Sequence, residues 1–414
     1  MRRRNTSFCL VLAGGGSKGI YHLGVWKALR EMGIEVDAFV GTSIGAVVAG
    51  LLAQNQQDSY ESFVDSISLD SIVALPPGFV EKGKLSVGRE AVQEAPKLFR
   101  SLIAHQGLDT SPLRKLLESH IDEAKIRASG KDLGIITVDL SSLKPREMFL
   151  EDMEEGRVLD YLMASAAFPG FKSPVIEGKK YMDGGVFENI PYDMARKRGY
   201  RRLIVSDIGG LGRNRKVEGE GSLTAYIKSS INMGWIFDFD REFLKDFMQL
   251  GYLDTLRSFG RLSGYSYFIK PGKMPEFPVA PLPESMSFPK EMEHERLLLH
   301  KYLECAALVL EIPRIRLYDY KSLFNAVKTK LSDEEAKIEN LVKGEEDRIK
   351  ATVNILRESV KTGVFKESPY YNYRIIEEIL PPSAWEVTKK AIAKIHPELS
   401  AGLYFLERLA AGQD

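Results

Sequence analysis

Residues 8–13, Phe-Cys-Leu-Val-Leu-Ala, form an unbroken apolar run that stops at a glycine cluster. That is the pattern of a strand covered on both faces. From Ile20 the period changes. Tyr21, Val25, Ala28, Leu29 and Met32 fall on one face of a helix, and Gly33 is placed to end it. Residues 36–40 predict a second short strand, and residues 44–53, apolar on every side, predict a helix packed inside the domain. Residues 135–140 and 202–208 read as further buried strands, and residues 164–167 as the start of a helix that Pro169 and Gly170 end. Strands that alternate with helices predict an α/β fold with a largely parallel sheet.

Past residue 269 the texture changes. Pro271, Pro275, Pro278, Pro281, Pro283 and Pro289 exclude regular helix and central strand from residues 270–289. Helical patterns resume over 291–311, 333–361 and 383–395. The expected organisation is an α/β domain over 1–269, a proline-rich linker over 270–289, and a helical region over 290–414.

Composition narrows the function classes. The 414 residues are enough for two or three domains, and 57 basic residues balance 57 acidic ones. A protein whose task is to coat nucleic acid needs a basic excess to neutralise phosphates, so no nucleic-acid partner is expected. Cys9 and Cys305 cannot build a disulfide framework or a cysteine-based zinc site, which points to a reducing, cytoplasmic compartment. The basic start Met1-Arg2-Arg3-Arg4 precedes an apolar run too short for an export signal. No run approaches the ~18 apolar residues that span a bilayer, so membrane contact is expected to be peripheral at most. Arg2, Arg3 and Arg4 could meet anionic headgroups at the inner face. His, Cys, Asp and Glu nowhere take metal-ligand spacing, so neither metal nor other cofactor is expected.

Candidate chemistry gathers in the first half. Gly41-Thr42-Ser43-Ile44-Gly45 is a G-x-S-x-G pentapeptide between a predicted strand and a predicted helix. In that context it presents a serine nucleophile on a sharp turn, with helix N–H groups beside it to stabilise developing negative charge. Gly14, Gly15, Gly16, Ser17, Lys18 and Gly19 also fit G-x-G-x-x-G, the dinucleotide fingerprint, with Glu35 or Asp37 as a ribose ligand. A dinucleotide enzyme has no use for a G-x-S-x-G at the next strand end, whereas an acyl hydrolase needs an oxyanion hole there. A serine needs a base. His22, His105, His120, His294, His300 and His396 lie outside glycine turns and clear strand ends, whereas Asp183 directly precedes Gly184 and Gly185.

Together these motifs resemble the patatin-like phospholipase family. The stretch from Ala164-Ser165-Ala166-Ala167-Phe168-Pro169 through Asp183-Gly184-Gly185 to Asn189-Ile190-Pro191 is similar to that family's second catalytic segment. The resemblance covers about residues 7–200 and extends more loosely to 269. It implies a three-layer α/β/α fold with a mainly parallel sheet. It also implies a Ser43–Asp183 dyad and an oxyanion hole from Gly14, Gly15, Gly16 and Ser17. Lys18, Gly19, Gly41, Gly45, Gly184 and Gly185 complete the motifs. Lys18 stands where many members carry arginine, which keeps the charge and loses the bidentate fork. The implied reaction is cofactor-free hydrolysis of a phospholipid, lysophospholipid or other fatty-acyl ester. A catalytically silent or ligand-gated lipid-binding protein is the alternative, and a dinucleotide-dependent oxidoreductase the remoter one. Apolar residues in 224–259, among them Ile236, Phe237, Phe239 and Phe247, could line an acyl channel, form a membrane-facing cap or simply pack a core.

Overall fold

A computed structural model describes residues 7–55, 59–75, 80–81, 84–85, 107–213, 221–232, 234–273, 295–342 and 367–411. The chain divides into two units, Met1–Phe259 and Gly260–Asp414.

In the first unit, strand β1 (Phe8–Leu12) leads into helix α1 (Ile20–Glu31), β2 (Val36–Thr42) and α2 (Ile44–Ala53). Next come α3 (Ser59–Ser66), the short pair β3 (Val80–Glu81) and β4 (Lys84–Leu85), and helices α4 (Ser111–His120) and α5 (Glu123–Ala128). Strands β5 (Asp132–Asp139) and β6 (Lys144–Phe149) precede α6 (Val158–Ser165), β7 (Val175–Ile176), β8 (Lys179–Asp183) and α7 (Tyr192–Lys197). The unit closes with β9 (Arg202–Asp207), β10 (Leu223–Lys228) and α8 (Arg241–Ser258).

The main sheet runs β10-β9-β1-β2-β5-β8-β7, with β6 also on β5. Strands β10, β9, β1, β2 and β5 are parallel, and β8, β7 and β6 add antiparallel pairings. This is the α/β fold expected, a mostly parallel mixed sheet with helices around it. The physical reason is legible in β1, β2 and β5. Their central residues are mainly apolar, and every position but Phe8, Asp37 and Asp132 is buried, as a sheet covered on both faces requires. Because β1 and β2 are parallel neighbours, the turns at their carboxyl ends lie on the same sheet edge.

One expected element is corrected. Residues 164–167 do not start a helix, since Ala164 and Ser165 end α6. Val158, Tyr161, Leu162 and Ser165 form the buried face of that helix, a spacing that begins before the small residues that drew attention. The apolar stretch 224–259 splits into β10, a loop and α8. On α8, Phe247 packs its ring edge-on against Tyr21 of α1, and Asp254 accepts a hydrogen bond from the Tyr21 hydroxyl at 3.0 Å.

The second unit is helical: α9 (Glu295–Val309), α10 (Tyr320–Val342), α11 (Pro369–Ile379), α12 (Pro382–Ile395) and α13 (Pro397–Ala411), with a short parallel pair Phe268–Ile269 and Leu317–Tyr318. Leu303, Ala306, Leu323, Val327, Phe405 and Leu406 belong to its core. Helix α10 begins well before residue 333, where the helical pattern was expected to start, and the expected extension to 361 lies outside the described residues. Most of the proline-rich stretch 270–289 lies outside them too. Among the described residues no helix is long and apolar enough to cross a membrane.

Candidate active site

Ser43 sits at the junction of β2 and α2 with φ 57° and ψ −129°. A non-glycine residue rarely adopts that backbone, and the cost is met by the close packing around it. Gly41 and Gly45 make the turn possible. A Cβ on Gly41 would lie 2.2 Å from the Gly45 carbonyl oxygen, and one on Gly45 would lie 2.3 Å from that of Leu12. The G-x-S-x-G spacing is thus a steric requirement of this turn. The Ser43 N–H donates to Ser165 Oγ at 2.9 Å, and Ser165 Oγ donates in turn to the Ile136 carbonyl on β5 at 2.7 Å. Ser165, wholly buried at the end of α6, has a role the sequence did not disclose. A lone serine between alanines carries no signal of a backbone partner so far away in the chain.

Asp183 ends β8, and its N–H donates to the Ala167 carbonyl at 2.9 Å. Its Oδ2 accepts the Ser43 hydroxyl at 2.6 Å and its Oδ1 accepts the Gly185 N–H at 2.7 Å. Residues 140 apart in sequence therefore meet directly. Only 4% of Asp183 is exposed. Burial pushes its carboxyl up to about 6, against the opposing pull of the Ser43 and Gly185 hydrogen bonds.

The glycine loop after β1 divides into engaged and open positions. Gly14 N–H donates to the Asn189 carbonyl at 3.0 Å, and Ser17 N–H donates to the Ile236 carbonyl at 2.8 Å. The Ser17 hydroxyl also donates to the Ile236 carbonyl, at 3.0 Å. Of the expected oxyanion residues, Gly15 and Gly16 are the ones that line the cavity beside Ser43. Gly16 has φ +60°, and a Cβ there would lie 2.2 Å from the Ile236 carbonyl oxygen. Lys18 is buried beneath the loop, and burial lowers its ammonium pKa. Its side chain does not line that cavity.

Glu35 and Asp37, offered as ribose ligands, flank Val36 at the start of β2, the end remote from the glycine loop, and Asp37 pairs with Lys131 at 3.3 Å. The dinucleotide reading loses its acidic partner. Three of the described histidines, His22, His120 and His300, have side-chain partners other than Asp183 and Ser43. His22, wholly buried, donates through Nε2 to the Ala13 carbonyl at 2.9 Å and accepts the Ser206 hydroxyl at Nδ1, at 2.7 Å. His120 bonds within its own turn and His300 bonds Glu304, while His105 and His294 lie outside the described residues. Among the described residues no group of three His, Cys, Asp or Glu side chains could hold a metal ion.

Ser43 and Asp183 open onto a cavity of about 240 Å³ walled mainly by apolar side chains, including Val47, Leu113, Phe168, Phe171 and Phe237. Ile236, Phe237 and Phe239 supply one wall, so the apolar stretch 224–259 serves both readings, cavity wall in its loop and core in α8. Leu211 lines the cavity while 57% exposed, and Trp235, 59% exposed, packs its ring against Phe237. The apolar surface therefore runs from the serine outwards.

The family model of patatin-like phospholipases matches residues 10–196, a span that holds the glycine loop, Ser43 and Asp183. Residues 10–196 form a patatin-like phospholipase domain. The chain is 30% identical over 214 residues to the patatin-like phospholipase domain-containing protein ZK370.4 of Caenorhabditis elegans, covering 49% of this chain and 14% of that protein. It is also 30% identical over 207 residues to lysophospholipase NTE1 of Kluyveromyces lactis, covering 49% of this chain and 12% of the relative. The chain thus spans a small part of the length of these curated relatives. Over 98% of the chain, the structure is also similar to VipD from Legionella pneumophila, with a TM-score of 0.33, 13% identity and 90% of that chain covered.

Proposed function

We propose that the patatin-like domain hydrolyses fatty-acyl esters of phospholipids or lysophospholipids through a Ser43–Asp183 dyad. The observation that carries this reading is the 2.6 Å hydrogen bond from Ser43 Oγ to Asp183 Oδ2 at the mouth of an apolar cavity. Ser43 Oγ attacks the ester carbonyl carbon while Asp183 Oδ2 takes its proton. The carbonyl oxygen becomes an anion beside the N–H groups of Gly15 and Gly16 and the first turn of α2. Collapse breaks the ester C–O bond, and the departing alcohol takes the proton from Asp183. Water then releases the fatty acid from Ser43. A carboxylate is ordinarily a weak base for a hydroxyl, and burial narrows that gap by raising the Asp183 pKa. Apolar walls suit a hydrocarbon chain, and the exposed Leu211 and Trp235 beside the cavity suit entry from a lipid surface. Peripheral contact at the cytoplasmic face of a membrane fits this reading. Arg2, Arg3 and Arg4 lie outside the described residues. We assign catalysis to the first unit, Met1–Phe259, ten residues short of the expected boundary at 269, because Phe268 and Ile269 pair with Leu317 and Tyr318 of the helical unit.

The test is labelling by a fluorophosphonate probe together with hydrolysis of a lysophospholipid. Wild-type protein is expected to label at Ser43 and turn over, whereas Ser43→Ala loses the label and at least about a thousandfold in kcat. A Ser43→Ala protein that keeps more than a few per cent of turnover overturns the proposal.

A further inference from the structure

Asn189 is 1% exposed and lines the cavity with Ser43 and Asp183. Its backbone is fully used, with its N–H on the Arg213 carbonyl at 2.9 Å and its carbonyl taking the Gly14 N–H at 3.0 Å. Its side-chain Nδ2 donates to the Gly14 carbonyl at 3.3 Å. That contact sets the amide orientation, because turning it over would bring two carbonyl oxygens face to face. Among the described residues, Oδ1 has no protein donor within hydrogen-bond distance. Buried acceptors are seldom left so, and one that is calls for an explanation.

The surroundings supply it. A Cβ on Gly14 would lie 2.5 Å from Asn189 Oδ1 and 3.1 Å from Ser43 Cβ. A Cβ on Gly185 would lie 3.2 Å from the same Oδ1 and 3.0 Å from Asp183 Oδ1. A Cβ on Gly212 would lie 2.8 Å from Asn189 Cβ. The amide thus occupies a slot walled by glycines, with Gly14 between its free oxygen and Ser43 Cβ and Gly185 between it and Asp183 Oδ1, the carboxyl oxygen that accepts the Gly185 N–H. The ester carbonyl and the acyl chain bring no N–H or O–H to this point. The water that attacks the acyl-enzyme brings two O–H groups, of which Asp183 can receive only one.

We infer that Asn189 Oδ1 orients the deacylating water, a role that rests on the Ser43–Asp183 reading. The water oxygen forms a bond to the acyl carbon, and one of its protons passes to Asp183 Oδ2. The other O–H stays hydrogen-bonded to Asn189 Oδ1. Collapse breaks the bond from the acyl carbon to Ser43 Oγ, the electron pair returns to Oγ, and Oγ recovers the proton from Asp183. Asn189 neither gains nor loses a proton. It aligns the water lone pair with the carbonyl carbon, an orientation effect that acts on deacylation alone.

The experiment separates the two half-reactions in the full chain with p-nitrophenyl butyrate, where nitrophenol release in the first turnover reads acylation and steady-state release reads deacylation. Asn189→Ala is expected to slow deacylation at least about tenfold more than acylation, with acyl-Ser43 accumulating by intact-mass spectrometry. Asn189→Asp keeps an oxygen in the same place and is nearly isosteric. It is expected to slow acylation, because Gly14 loses its donor, while deacylation stays within about fivefold of wild type. Equal slowing of both steps in Asn189→Ala would make Asn189 a brace for the glycine loop and overturn the inference. So would unchanged rates, or an Asn189→Asp protein as slow in deacylation as the alanine variant. Failure of the underlying dyad shows separately, as absence of label or burst on Ser43 in the wild-type protein.

Discussion

Asp183 in the α/β unit and Glu334 in the helical unit are both almost fully buried carboxylates, at 4% and 1% exposure, yet the structure treats them in opposite ways. Glu334 lies 3.2 Å from the Lys330 ammonium and 3.1 Å from that of Lys337, and accepts the Ser368 hydroxyl at 3.0 Å. Burial raises its pKa, but the bonds from Lys337, Lys330 and Ser368 outweigh burial and leave it lowered. Among the described residues Asp183 bonds only the Ser43 hydroxyl and the Gly185 N–H, both neutral, so burial wins and the carboxyl rises to about 6. Burial alone says nothing about reactivity. What sets the proposed base apart is burial with partners too weak to offset it, beside a hydroxyl that could lose a proton.

The sharpest way to break this comparison is to neutralise each group. Asp183→Asn is expected to lower kcat at least ~100-fold, the lower end of a general base's contribution. The same change should stabilise the protein. A pKa raised from 3.8 to about 6 means that folding gains stability while Asp183 is protonated and loses it as pH rises through that window. At pH 8 the loss is on the order of 3 kcal/mol, which the amide does not incur. Glu334→Gln should act in the other direction and cost about 1–2 kcal/mol, a modest figure because both lysines are partly exposed. Thermal unfolding at pH 8 alongside turnover decides the matter. An Asp183→Asn protein less stable than wild type would remove the contrast.

The second effect is on pH dependence. The base must be ionised to act, so kcat/KM on a soluble acyl ester should climb with pH to a plateau above the Asp183 pKa of about 6. At pH 5 the rate should lie about tenfold below that plateau. A profile flat from pH 5 to 8 would mean that Asp183 is not the titrating base.

Much of this site was legible in the sequence because its requirements are local. The G-x-S-x-G spacing follows from backbone contacts between Gly41, Gly45 and Leu12, and the apolar runs of β1 and β2 follow from burial on both faces. A pairing across 140 residues, Ser43 with Asp183, came within reach only through the family resemblance, since an Asp-Gly turn alone is ordinary. Two sets of contacts stayed hidden, although both residues lie in the stretch that resembles the family's second catalytic segment. Ser165 and Asn189 act through backbone atoms of Ile136, Ser43 and Gly14, and no spacing rule links a side chain to a distant carbonyl. The mixed edge of the sheet was hidden as well, because β7 is only two residues long and β8 reads Lys179-Lys180-Tyr181-Met182-Asp183, with both lysines exposed.

Ser165 offers a smaller effect. It holds the strained Ser43 backbone by one hydrogen bond, worth about 1 kcal/mol, so Ser165→Ala should slow kcat roughly fivefold. Fluorophosphonate labelling should slow by the same factor, because the nucleophile itself is displaced. The pH at which the rate rises should not move, since Asp183 keeps its surroundings. Slower turnover with an unchanged labelling rate would place the role of Ser165 after acylation.

His22 should matter least to turnover and most to acid stability. It props the Ala13 carbonyl just before the glycine loop and touches neither Ser43 nor the cavity lining, so His22→Gln should keep kcat within about threefold of wild type. Burial holds its pKa down at about 4, below the ordinary 6.5, despite the opposing bond to Ala13. A histidine kept neutral in the fold takes up a proton more readily when unfolded, so stability is lost as pH falls from 6.5 towards 4. Between pH 7 and pH 5 that loss amounts to about 2 kcal/mol, while protonation of Asp183 returns about 1 kcal/mol over the same interval. The two buried groups nearly cancel, and wild-type stability should change little on this acidification from their joint effect. Each variant then uncovers the other group. Relative to wild type, His22→Gln should gain stability between pH 7 and pH 5, and Asp183→Asn should lose it. Denaturant midpoints at the two pH values measure both slopes, and slopes of the same sign would show that one of these groups does not carry the proton assigned to it.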